Sequence, residues 1–400
     1  MTARWDPTTF NPHDPAFLAN PYPTYGLFRD QAPLSVVRPY GSTWVFRFTD
    51  VRQLLDDSVT FVKSPPGGRS PGTGLFAMGA NLPDGLFASD PPRHTELRAV
   101  LEPLFSEAIG RAPGIATDSA AQLLGPLRST ARWELVSDYA LPLPSAVLFT
   151  IMGIPADHWP VLIQWIGTIA SAHDNTQSIA LRVMGATCAM ALTTYFGEWV
   201  LQCRRNPQAG LIGELCQSIG GRDGLTQEDV QVCCSDFAVA GYLSTTFLIG
   251  TALVHLLDNP DQAQLLREQP ELIHGAVEEM LRIDAPAQLV DRVTAIDTEL
   301  GGVHLPAGTK VTAVLGSADH DPTAFADPDA FRIQRDDTAQ LSFGDGIHYC
   351  IGAPLVRLMA PIAMTALLDL PTLAVAGQAQ WQTDPYLRAM TNLPLSTGGR

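Results

Sequence analysis

The chain is short of charge, and shorter still of positive charge. Asp, Glu, Lys and Arg make up only 16% of its 400 residues, and 41 acidic side chains against 25 basic ones leave a formal net charge of -16. A surface of that sign repels phosphate backbones, which argues against a nucleic-acid partner. Cysteine is scarce and unpatterned. Residues 188, 203, 216, 233, 234 and 350 include no CxxC pair and no regular framework, so neither a structural zinc site nor a secreted disulfide scaffold is indicated. The N-terminus lacks the basic start and apolar run of an export signal and carries Asp6, Asp14 and several prolines instead. A reducing, cytoplasmic compartment is the expectation. Internal repeats and low-complexity tracts are missing too.

What the chain does have is apolar bulk: 46% hydrophobic residues, enough for a large core and far from the composition of a disordered chain. At this length the choice lies between two domains and one large helical body around a buried cofactor. The 21 residues Phe237–Leu257 contain no Asp, Glu, Lys or Arg and could span a bilayer by length. Gly241, Gly250, Ser244 and three threonines interrupt the stretch, and Asp236 and Asp258 flank it without basic anchors. Those features predict a helix buried on all sides in a large protein, not a membrane span.

Prolines at 7, 12, 15, 21 and 23 predict an extended, turn-rich arm ahead of a helix at Thr24–Gln31. Val36–Arg38 and Trp44–Phe48 read as a hairpin about Pro39–Thr43. The Gly- and Pro-dense segment Lys63–Leu86 is a candidate lid, since loops of that length are usually functional. Helical periodicity dominates Arg93–Leu281, broken at Leu141–Pro144 and Gly220–Gly224. Thr226 followed by Asp229 opens, and Asn259-Pro260 closes, one helix of about 30 residues, long enough to cross the molecule and line a buried site. Short strands are expected at Leu289–Val293, Gly302–Leu305 and Lys310–Leu315, with a turn at Pro306–Gly308.

The densest chemical signal is Phe343-Gly344-Asp345-Gly346-Ile347-His348-Tyr349-Cys350-Ile351-Gly352. Its glycines permit unusual backbone angles and the close approach of a flat ligand, while the cysteine can be presented with its sulfur among amide N–H groups. A helical pattern follows at Leu355–Leu370, so the sulfur should lie near a helix N-terminus, whose dipole favours a thiolate.

This segment resembles the haem-binding signature of the cytochrome P450 family at every fixed position. The resemblance implies a mainly α fold with a small β-rich lobe, haem b buried between the long helix and the helix after the cysteine loop, and a single domain over residues 1–400. Cys350 becomes the iron ligand, with Phe343, Gly344 and Gly352 framing the cofactor. In this family the haem iron is held by a cysteine thiolate, which pushes electron density toward O–O cleavage. Glu279-Met280-Leu281-Arg282 is similar to the family's structural E-x-x-R pair. Its usual third partner, an arginine after a proline, is absent from Pro328-Asp329-Ala330-Phe331, leaving Arg335, and secondarily Arg332, as substitutes. His94 and Arg98, one turn apart in Asp90–Arg98, resemble the residues that hold a haem propionate, a spacing that lets two cations reach one carboxylate. Arg292 and His348 would complete that set.

Ala240-Gly241-Tyr242-Leu243-Ser244-Thr245 resembles the family's oxygen-binding motif but departs from it. Leu243 stands where a carboxylate is usual and Ser244 where the first threonine is, so a hydroxyl survives and the ordinary proton source does not. Similar variants occur in an actinobacterial group acting on aromatic cyclodipeptides. The resemblance therefore implies oxidative C–C or C–N coupling of such a substrate, with O2 and with electrons from ferredoxin and ferredoxin reductase. Ordinary hydroxylation of a polyketide, terpene or peptide, carried by Ser244, Thr245 and water, is the alternative. A haem sensor or carrier without turnover is the reading from another class, and peroxide-driven turnover lacks a distal arginine to support it. Carried over by position, the substrate contacts are the Lys63–Leu86 loop, Tyr242, Leu243, Ala287 through Val290 (with Gln288 and Leu289), and Thr391, Asn392 and Leu393; they suit a flat, largely apolar ligand with a few polar groups. Arg98 and Arg357 are candidate contacts for an acidic ferredoxin.

Overall fold

The computed structural model describes residues 6–64, 84–174, 176–220, 224–336, 339–370 and 372–397. Most of the expected lid, residues 65–83, lies outside them. Packing divides the described residues into two compact units, one within Met1–Gly68, Phe247–Cys350 and Ala374–Leu395 and the other within Arg69–Thr246, Ile351–Leu373 and Ser396–Arg400.

The first unit is built on a five-stranded mixed sheet ordered Leu34–Val37, Ser42–Val45, Lys310–Val314, Leu289–Thr294, Phe61–Val62. The expected hairpin is there: Leu34 pairs with Val45 and Val37 with Ser42, antiparallel. Ser42–Val45 then runs parallel to Lys310–Val314, a pairing across most of the sequence. Alternation along the strands sends side chains to opposite faces. Val45, Val311 and Ala313 join an aliphatic core with Val51, Leu54 and Leu55, whereas Trp44, Phe46, Leu289 and Val314 join an aromatic one with Phe17, Tyr25 and Phe28.

One sequence expectation needs correction in this unit, and one hairpin was only half foreseen, through its strand at Gly302–Leu305. Residues 6–24 are not an extended arm: Pro7–Thr9 and Pro15–Ala19 are short helical turns, and the next helix starts at Tyr22, ahead of Thr24. Proline's fixed φ and missing N–H suit the first helical turn, so Pro7, Pro15 and Pro23 open helices, with Asp6 and Asp14 capping the first two. A second hairpin, Thr298–Leu300 with Val303–Leu305, turns at Gly301-Gly302, both at positive φ (+55° and +78°).

The second unit is helical: Arg93–Ile109, Ala112–Leu127, Pro142–Met152, Trp159–Ser171, Ile179–Arg205, Leu211–Gln217, the first part of Gln227–Asp258, and Ala353–Leu368. Leu141–Pro144 does not break the helical run. A π-helical turn, Val136–Ala140, leads straight into Pro142–Met152, whose proline sits where no N–H is needed. The long helix begins as expected, with Thr226 Oγ1 accepting from the Asp229 N–H (3.1 Å) and Asp229 Oδ2 accepting from the Thr226 N–H (2.7 Å), and it ends at Asp258. Two described helices are long and apolar enough to cross a membrane by composition. Gln227–Asp258 has 78% of its apolar window buried; Ile179–Arg205, which the sequence did not single out, has only 22% buried and exposes Ile179, Val183, Met184 and Met190.

Candidate functional site

Six cysteines divide sharply by environment. Cys203, Cys216, Cys233 and Cys234 are buried, and burial pushes the Cys216 thiol up to about 12 and the Cys233 and Cys234 thiols higher still, so they stay protonated and inert. Cys188 lies half-buried along Ile179–Arg205. Cys350, also half-buried, closes a loop whose residues Phe343 to Cys350 are all partly accessible.

The sequence makes that loop fold back on itself. Gly344 and Gly346 both take positive φ (+73° and +67°), a conformation that side chains with a Cβ resist. At Gly346 there is no room either, since a Cβ would lie 2.8 Å from the Leu55 carbonyl oxygen. Asp345 accepts from the Gly346 N–H (2.8 Å) and pairs with Arg52 (3.2 Å), while the Cys350 N–H donates to the Phe343 carbonyl (3.0 Å). His348 ends the short Gly346–His348 helical turn within the same loop, and three residues after Cys350 the chain enters the helix Ala353–Leu368, with Gly352 as its N-cap.

The first unit also holds the buried ion pair Glu279–Arg282, which anchors the segment leading to the loop. Arg282 Nε donates to Glu279 Oε2 at 2.7 Å, and its Nη1 donates to the carbonyls of Asp319 and Pro328. Arg335 is the third partner, donating to Glu279 Oε2 at 3.0 Å with its side chain 6% exposed. Arg332 contributes only its backbone N–H, and its side chain reaches out to Asp327. Asp319 accepts from the Leu341 N–H and Ser342 Oγ, fixing the chain just ahead of Phe343; burial holds its carboxyl up at about 7 despite those donors and Arg282. Arg292 is buried on the strand Leu289–Thr294, with Nη1 donating to the Asp291 carbonyl (2.9 Å).

Of the expected substrate contacts in this unit, Gln288 and Leu289 are buried, and Leu289 packs with the aromatic core. Gln288 Nε2 donates to the Ala285 carbonyl, and its Oε1 meets no donor among the described residues. Val290 and Asn392 are half-buried, Leu393 is buried and Thr391 is exposed.

In the second unit His94 and Arg98 share one face of Arg93–Ile109. His94 is buried, and Arg98 forms a two-pronged pair with Glu102 (3.0 and 3.3 Å). Along the long helix, Ala240 is exposed and Gly241 and Ser244 are half-buried, between buried Val239, Tyr242, Leu243 and Thr245. An accessible alanine in the middle of a buried helix marks a face that no described side chain covers. The hydroxyls near it are turned onto their own helix: Ser244 donates to the Ala240 carbonyl (3.0 Å), Thr245 to Gly241 (3.5 Å) and Thr246 to Tyr242 (2.9 Å). Sequence reasoning missed one group here. Asp236, visible there only as the edge of an uncharged run, stands one turn before Ala240 on the same face.

Comparison with known proteins gives a consistent result. Residues 198–387 match the family model "Cytochrome P450". The chain is 32% identical over 388 residues to the biotin biosynthesis cytochrome P450 of Bacillus subtilis (95% of this chain, 97% of the relative). It is 34% identical over 396 residues to the cytochrome P450 monooxygenase PikC of Streptomyces venezuelae (95% and 91%). Among solved structures, P450BioI in complex with a hexadec-9Z-enoic acid ligated acyl carrier protein superposes with a TM-score of 0.88 at 30% identity, covering 96% of this chain and 100% of that one.

Proposed function

Because the chain belongs to the cytochrome P450 family, whose members are haem-thiolate oxidoreductases of the monooxygenase type, we propose that it oxidises a secondary metabolite and that the reaction is oxidative coupling of an aromatic cyclodipeptide. The cofactor is iron protoporphyrin IX, which when bound supplies a site for O2 and the oxidising power of the reaction. Residues of the first unit fit such a group: a half-buried thiol in a glycine-framed loop, and the buried guanidinium of Arg292, able to meet a carboxylate of a flat dianion. Cys350 would ligate the iron. His94, Arg98, Arg292 and His348 would hold the propionates, and Phe343, Gly344 and Gly352 would frame the ring. We take residues 1–400 to act as one domain, in the cytoplasm, with ferredoxin and its reductase as the electron source.

The observation that carries the coupling reading is the state of the Ala240–Thr246 stretch. Leu243 is buried where a proton-donating acid would sit, and the three hydroxyls beside it donate to carbonyls of their own helix. Hydroxylation and coupling both draw two protons from solvent, so the missing acid slows either; what supports coupling is that this stretch resembles the variant found in the group acting on aromatic cyclodipeptides. Coupling leaves no oxygen in the product: two X–H bonds of the substrate break, one C–C or C–N bond forms, and O2 takes up those two hydrogens, two electrons from the donor and two protons from solvent to give two waters. Tyr242, Leu243, Gln288, Leu289, Val290, Thr391, Asn392 and Leu393 would supply a mostly apolar wall with a few polar positions for the ligand. A second reading, hydroxylation, is favoured by the names of relatives such as the vitamin D(3) 25-hydroxylase of Pseudonocardia autotrophica, 30% identical over 397 residues.

The two are separated by product mass. With cyclo(L-Tyr-L-Tyr) and cyclo(L-Trp-L-Trp), O2, NADPH, ferredoxin and reductase, the expected product is two hydrogens lighter than the substrate; a product one oxygen heavier supports hydroxylation and defeats coupling. Leu243→Glu, which restores an acid, should raise the turnover rate several-fold. No change in rate would count against the proton-supply argument.

A further inference from the structure

Asp236 is the one acid between Asp229 and Asp258 on the long helix, and its surroundings are the opposite of those of Asp229. Two turns earlier on the same face, Asp229 is satisfied by Arg93 and by the hydroxyl and N–H of Thr226. Asp236 has no such company. Its Oδ2 is shut off from solvent with no hydrogen-bond donor among the described residues. The wall that shuts it off is the backbone at Gly85, where an added Cβ would stand 2.2 Å from Oδ2 and 2.7 Å from Val232 Cγ1, so only glycine fits. Among the described residues, the other groups that act on it do not supply a cation. Asp84 adjoins Gly85, and Cys233, on the helix itself, is held by the Leu86 backbone. Burial, and then the Asp84 carboxylate, push the Asp236 carboxyl up to about 8.

The residue as a whole is only half-buried, and the next residue up its face, Ala240, is exposed. One oxygen is sealed against Gly85, yet the residue retains partial solvent exposure. Buried polar groups in native proteins are nearly always satisfied, and the exceptions concentrate at functional sites. A carboxylate walled in beside another acid is held neutral, and a neutral carboxyl carries an O–H.

We infer that Asp236 is a specificity-determining residue whose protonated carboxyl donates a hydrogen bond to a carbonyl-type acceptor of the bound substrate, with Gly85 holding the acid in place. The inference deepens the functional reading above, since a diketopiperazine presents two carbonyls, but it requires only an acceptor.

The test is spectral titration of the haem-loaded protein with three probes: cyclo(L-Tyr-L-Tyr), its N,N′-dimethyl derivative, and progesterone, which lacks both N–H groups and a cation. Asp236→Leu removes the donor and should weaken probe binding about tenfold, whereas Asp236→Asn keeps an N–H donor and should stay within about threefold of the parent. Gly85→Ala, which displaces the acid, should weaken the same probe. The reduced carbon monoxide spectrum of each variant checks that the site has folded. Equal losses in Asp236→Leu and Asp236→Asn would mean the group acts as a charged acceptor and would overturn the inference. So would the absence of an Asp236→Leu effect on every probe. Dependence on Asp236 with progesterone, but no response to either diketopiperazine, would retire the cyclodipeptide reading and leave this one standing.

Discussion

At Glu279 one carboxylate serves two buried guanidinia, and the roles of Arg335 and Arg332 follow from where each side chain ends. Arg335 Nε reaches Glu279 and its Nη atoms reach the carbonyls of Ala326, Asp327 and Ala330, so it ties the segment into a closed network. Arg332 and Asp327 pair in the open, at 50% and 69% side-chain exposure. Removing one partner of a buried, hydrogen-bonded pair costs about 3–5 kcal/mol, while exposed pairs contribute about 0–1 kcal/mol. Arg335→Ala should therefore destabilise the haem-loaded protein by about 3 kcal/mol in urea unfolding followed at the haem band, and Arg332→Ala by less than about 1 kcal/mol. The reverse order would show that the third partner has been misassigned. The sequence ranked Arg335 ahead of Arg332 but could not exclude the second, because the choice depends on which side chain the turn at 328–335 aims inward. Asp236 was illegible for a similar reason: a lone acid beside an apolar run is ordinary, and only the closeness of Gly85 shows that it has been denied a partner.

Elements were legible in proportion to how local their signals are. The long helix was readable because Thr226 and Asp229 cap its start and Asn259-Pro260 ends it, both being short-range chemistry. Thr226→Ala removes the hydroxyl that takes the Asp229 N–H and should cost about 1 kcal/mol, as caps of this kind do, with haem content retained. A change indistinguishable from zero in thermal unfolding would mean that tertiary packing alone sets the helix start. The N-terminal arm departs from expectation because proline, a breaker inside a helix, stands here at positions where it starts one. Gly301-Gly302 between short strands went unread even though two successive positive-φ glycines are a hairpin signal. The mixed sheet was beyond reach, since the parallel pairing of Thr43 with Val311 joins residues whose separation no local pattern encodes.

For the molecule as a whole, composition narrows the field before any motif is considered. An apolar share of 46% points to a large core, and the family match agrees with a mainly α fold carrying a small β lobe. Fold and cofactor were both legible from ten residues around Cys350, which match the family's haem-binding signature at every fixed position. The proposed substrate contacts come from distant parts of the chain and range from buried Leu289 to exposed Thr391, and no local sequence pattern encodes how such positions combine. The account rests on Cys350, and it is tested most directly by the reduced carbon monoxide difference spectrum of the parent protein, Cys350→Ala and Cys350→His. The parent should give the strongly red-shifted band of a thiolate-ligated haem, Cys350→Ala should lose it, and Cys350→His should move it to the position of an imidazole-ligated haem. A red-shifted band that persists in Cys350→Ala would contradict the account.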